Sequence, residues 1–136
     1  MANNYLLFSE MLEFENKEEF EWAKKELTRL KEMKDENDTP MLDFHWEIEE
    51  NDEKKVLWFY TDEFGEPYKV GDFVQEYLKK FHPKDIWTLT WASTCSRPRI
   101  GEFAGGGMVV TATDMHFMEA HDWVSKTVAE LKKGAN

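Results

Sequence analysis

The chain has 136 residues, 41% hydrophobic and 15% aromatic, with 28 Asp/Glu against 17 Lys/Arg and a net charge of −11. That length suits one domain spanning 1–136, and the aromatic content excludes a disordered chain. The acidic balance argues against direct nucleic-acid binding, which needs a Lys/Arg footprint, and no apolar run approaches the roughly 18–20 residues of a membrane span.

The single cysteine, Cys95, excludes an internal disulfide and fits a reducing compartment. The N-terminal M-A-N-N-Y-L-L-F has no basic segment before its short apolar run, so it does not read as a secretory signal. Together these features predict a cytoplasmic protein.

In chain order, residues 4–14 predict a strand buried on at least one face. Asn16, with Glu19 three residues on, forms a capping box that opens a helix over 17–36. Its apolar positions are Phe20, Ala23, Leu27 and Leu30, with Trp22 off that stripe. Pro40 and the acidic turn before it end the helix. Residues 42–49 alternate strictly, with Leu42, Phe44, Trp46 and Ile48 inward and His45, Glu47 and Glu49 outward. After a polar turn, 55–61 is apolar on both faces, and the pair predicts an antiparallel hairpin with the second strand more central.

Gly65 and Pro67 mark a loop over 62–68. A second helix over 70–81 places Val70, Phe73, Val74, Tyr77, Leu78 and Phe81 on one face, and Pro83 stops it. Strands follow at 86–95 and 107–113, joined by a connection of about eleven residues, Ser96 to Gly106. The C-terminal segment reads as a short helical turn and then a longer helix, with Trp123, Val124, Thr127, Val128 and Leu131 on its buried side and Gly134 as its cap. The order β-α-β-β-α-β-β-α predicts an α+β fold. Its core would be a ferredoxin-like β-α-β-β-α-β unit in an antiparallel-rich sheet, with helices mainly on one face, an added edge strand, and a last helix covering part of the sheet.

Chemistry concentrates in W-A-S-T-C-S-R-P-R-I-G-E-F-A-G-G-G-M-V-V-T (91–111). This stretch holds two of the three arginines and four of the seven glycines. Arg97 and Arg99 flank Pro98, which stiffens their presentation, and guanidinium suits bidentate contact with phosphate or carboxylate. Gly105, Gly106 and Gly107 would let backbone amides approach an anion, with Glu102 as a competing internal partner for the arginines. The pattern matches neither phosphate-loop motif, and a structural use of these residues competes with a binding surface.

The same string, with F-V-Q-E-Y-L-K-K-F before it, resembles a group of small acidic uncharacterised proteins of bacterial phages and mobile elements. The resemblance implies a setting of counter-defence or host takeover. It carries over no activity, cofactor or site residue.

Neither Cys95 nor His45, His82, His116 and His121 forms a recognisable catalytic or metal signature, since His116 and His121 are five apart. No cofactor or metal is expected. The charge is split, however: residues 1–67 carry 20 Asp/Glu and 8 Lys/Arg, whereas 68–136 carry 8 and 9. An acidic half of this kind attracts basic protein surfaces, including the nucleic-acid-binding face of another protein.

The expected function is therefore a non-enzymatic binding or modulator protein that acts on a basic protein partner or on itself as a homodimer. Trp22, Glu47, Glu49, Phe64 and Phe103 are the candidate interface residues. The alternative is a small anionic-ligand binder using Arg97, Arg99, Glu102 and Gly105–Gly107.

Overall fold

A computed structural model describes residues 4–34, 36–38, 42–51, 53–61, 65–98, 100 and 103–134. The elements run β1 (Asn4–Phe14), α1 (Lys17–Glu32), β2 (His45–Glu50), β3 (Lys55–Thr61), α2 (Pro67–Phe81), β4 (Trp87–Cys95), β5 (Ala104–Val110), β6 (Met115–Glu119) and α3 (Ala120–Gly134). The six strands form one open antiparallel sheet in the order β2-β3-β1-β4-β5-β6. The fold is α+β.

Local chemistry sets the helix ends. Asn16 Oδ1 accepts from the Glu19 amide at 3.0 Å, and Glu18 and Glu19 in the first turn of α1 face its positive dipole end. The helix stops at Glu32, short of the expected 36, because Met33 is extended and its amide turns back to Leu30 O. Helix α2 begins at Pro67, earlier than expected. Proline at the first helical position loses no hydrogen bond, so the residue that looked like a loop marker is the helix start.

The pleat sorts the core. Phe8, Leu12 and Phe14 of β1, Leu57 and Phe59 of β3, Leu89 of β4, and Met108 and Val110 of β5 are all buried on one face. Both α1 and α2 pack there. Phe14 meets Phe20 and Tyr77 edge-on at 5.9 and 5.4 Å, and Phe59 meets Phe73 at 5.7 Å. Gly71 lets α2 sit close to the sheet, since an added Cβ would lie 2.9 Å from Met108 Sδ and 3.0 Å from Met115 Sδ. Between β2 and α2, Lys69 is nearly buried and pairs with Asp43 at 3.5 Å and Glu66 at 3.4 Å.

The C-terminal third departs from expectation in three ways. Strand β5 starts at Ala104, three residues before the expected 107, so Gly105 and Gly106 join Gly107 as strand residues, paired with Ala92, Trp91 and Thr90, and the connection from Cys95 is shorter than expected. Residues 115–119, expected as a helical turn, form β6. Thr111 Oγ1 accepts from the amides of Thr113 and Asp114, and the Thr111 amide donates to Asp114 O at 2.8 Å. That hydroxyl-capped turn folds M-H-F-M-E back onto β5 as a hairpin. Finally, α3 buries none of its residues: Trp123, Val124, Val128 and Leu131 are 44–70% exposed. The helix follows directly on β6, and among the described residues nothing buries its apolar stripe.

Candidate protein-docking face

Both α1 and α2 lie on one side, and among the described residues no helix packs on the other side of β1, β2 and β3. Register and pleat put three rows of side chains there: His45, Tyr60 and Ser9; Glu47, Trp58 and Met11; Glu49, Val56 and Glu13. Trp58, at the centre, is 38% exposed and Met11 is 53% exposed.

The face is ordered by its own contacts. Trp58 and Tyr60 stack with ring centres 4.1 Å apart, and His45 stacks on Tyr60 at 5.3 Å. Trp58 Nε1 donates to Ser9 Oγ at 2.7 Å, and the Tyr60 hydroxyl donates to Glu47 Oε1 at 3.2 Å. These bonds hold the indole in one orientation and aim the Glu47 carboxylate beside it. A groove of about 410 Å³ runs along the face, lined by Met11, Val56 and Trp58 with Glu10, Glu47 and Glu49 at its margins. Its floor is apolar and its rim acidic. An apolar floor suits an aliphatic stem and an acidic rim suits a cationic head.

The expected interface residues divide. Glu47 and Glu49 lie on this face. Trp22 does not serve as an exposed anchor: it stacks on Phe73 at 5.7 Å and meets Phe81 edge-on at 5.7 Å, so it belongs to the α1–α2 contact. Phe103 is 46% exposed just before β5, away from Glu47 and Glu49 in the sheet order. Phe64 lies outside the described residues.

Of the expected anion-binding residues, four are described. Gly105–Gly107 are engaged in the β4–β5 ladder, and Arg97 is exposed beyond the end of β4. Arg99 and Glu102 lie outside the described residues.

Trp58 was missed because β3 read as apolar on both faces, and Met11 and Glu13 because β1 read only as a strand buried on at least one face. One signal was available. Alternation along K-V-L-W-F-Y-T puts Leu57 and Phe59 on one side and Trp58 and Tyr60, each with a polar atom, on the other.

A second constellation joins α1 to the end of α2. Glu19, 2% exposed, accepts from the Tyr77 hydroxyl and, at 2.8 Å, from His82 Nε2. Glu15 comes close enough that Glu15, Glu19 and His82 each place one ligand-type atom within 4.8 Å of the others. Asp85 Oδ2 lies 3.7 Å from His82 Nδ1. Burial disfavours the His82 cation, but the hydrogen bond to Glu19 and the carboxylates of Glu19, Glu15 and Asp85 outweigh it, so its pKa lies above the ordinary value. Burial, and then the same carboxylates, hold the Tyr77 hydroxyl firmly protonated. Glu19 Oε1 is thus already committed to two donors, which makes the group a polar pin between helices. Among the described residues no fully buried side-chain nitrogen or oxygen lacks a hydrogen-bond partner.

No helix among the described residues is long and apolar enough to cross a membrane. No family model matches the chain, and searches of curated proteins and of solved structures return no match.

Proposed function

We propose that this chain is a protein-binding module that docks a basic segment of another protein on the uncovered face of β1–β3. The observation that carries this reading is Trp58, held between Met11 and Glu47 on an exposed sheet surface with Glu13 and Glu49 beside it. An apolar aromatic anchor inside a charged rim is the composition of an interface hot spot. Among the described residues, no lysine or arginine pairs with Glu13, Glu47 or Glu49, so their charge is available to an incoming cation. The excess negative charge of residues 1–67 draws such a partner in and is felt most at low salt. Basic surfaces of this kind are typical of nucleic-acid-handling proteins, and masking one would inhibit it. That role suits a phage or mobile-element product.

The same reading takes the first six elements as a ferredoxin-like unit extended by β5 and β6. The neighbour order β2-β3-β1-β4 and the two intervening helices support it.

The test is titration of the full chain with a Lys/Arg-rich peptide, followed by tryptophan fluorescence. Micromolar binding that weakens at least tenfold in Trp58→Ala or in Glu47→Gln/Glu49→Gln, and that falls with salt, is expected. Binding indifferent to all three, or no binding at low ionic strength, overturns the reading.

A further inference from the structure

The opposite end of the molecule carries a surface of different character. Helix α3 shows Trp123 at 58%, Val124 at 51%, Val128 at 44% and Leu131 at 70% exposure, all on one stripe. At typical side-chain sizes the exposed parts amount to about 400 Å². A standard interface takes ~800 Å² per partner. The apolar part of a stable interface is therefore already present, and a polar rim supplies the remainder.

We infer that a second copy of this chain covers α3, through antiparallel pairing of the two helices about a two-fold axis near Thr127. Three features favour a copy of itself over another occupant. First, the stripe is close to symmetric about Thr127, with Trp123 four residues before it and Leu131 four after. A two-fold axis there sets Trp123 of each chain against Leu131 of the other.

Second, Lys126 and Glu130 lie together on one flank of the stripe. Antiparallel pairing brings Lys126 of one chain opposite Glu130 of the second, twice over, and also opposes the helix dipoles favourably. Neither residue makes an ion pair within the chain among the described residues. Third, residues 68–136 are nearly neutral, with 8 Asp/Glu and 9 Lys/Arg, so two copies meet there without the repulsion their first halves would exert. The interface is separate from the Trp58 groove, which lies across the sheet on β1–β3, and it leaves that groove open in both copies.

The experiment is sedimentation equilibrium of the full chain from about 1 to 100 μM, with variants. A mass of twice 16.2 kDa is expected. Val128→Glu should weaken association at least tenfold and leave the circular dichroism of the fold unchanged. Lys126→Glu should weaken it, and Lys126→Glu/Glu130→Lys should restore it.

On a Cys95→Ser background, Thr127→Cys should form a disulfide-linked dimer under mild oxidation, and Ser125→Cys, off the stripe, should not. A monomer throughout the range overturns the proposal, as does a dimer that neither Val128→Glu nor Lys126→Glu weakens. Basic-peptide binding by the Val128→Glu variant reports on the Trp58 face alone, so the two readings fail separately.

Discussion

His82 Nε2 donates to Glu19 Oε1 at 2.8 Å across 63 residues of sequence, tying the end of α2 to the first turn of α1. The imidazole sits among Glu15, Glu19 and Asp85, and its pKa is raised in the folded chain. A raised folded pKa stabilises the fold fully below the unfolded value near 6.5, and that contribution is lost as pH rises through the higher folded value. Urea midpoints should therefore decline from pH 6 to pH 9 in the native chain. His82→Ala should flatten this part of the profile; an unchanged slope would assign it to other groups.

Glu19 accepts from Tyr77 as well as from His82, at a site with almost no solvent. Glu19→Gln puts an amide where an acceptor faces two donors. It should cost about 1–3 kcal/mol, the penalty for unsatisfied buried polar groups. Asn16→Ala, which removes the cap from the Glu19 amide, should cost about 1 kcal/mol. Chemical denaturation at pH 7 measures both.

Neighbouring residues on β3 should behave oppositely. Phe59 is fully buried among Phe44, Phe73 and Trp87, so Phe59→Ala should cost about 3–5 kcal/mol. Trp58, one residue earlier, faces outward, and Trp58→Ala should cost about 1 kcal/mol in stability while removing peptide binding. Denaturation midpoints and fluorescence titrations on the two variants separate core from docking face.

The glycines of β5 are also unequal. A Cβ on Gly106 would lie 2.5 Å from Trp91 Cζ2 and 2.6 Å from Met118 O. The carbonyl belongs to the β6 backbone and cannot swing aside, so Gly106→Ala should cost roughly 1–3 kcal/mol, as overpacking does. At Gly107 the nearest atoms are 3.5 and 3.7 Å away, ordinary contact distances, and Gly107→Ala should be neutral or slightly stabilising. Thermal melts of the two variants should differ by several degrees; equal melts would contradict the close approach at Gly106.

Residue spacing along the chain decides only local matters. The Asn16 cap, the apolar periods of α1 and α2, and the alternation through Ile48 each follow from short-range spacing, and they specify two amphipathic helices and an antiparallel sheet in an α+β chain. Three things depended on neighbours far along the chain. Gly105 and Gly106 look like a loop, yet β4 supplies both with a ladder partner and β6 pairs with Gly106 from the other side. Met115–Glu119 has no decisive period of its own and becomes a strand because the Thr111 turn delivers it to an open edge. Trp58 and Trp123 both read as core residues, since pattern alone reports that a side chain is apolar. Whether another element arrives to cover it is settled by packing: α1 and α2 both lie on the Phe59 side, so Trp58 stays in the open, and no described element buries α3, so Trp123 does too.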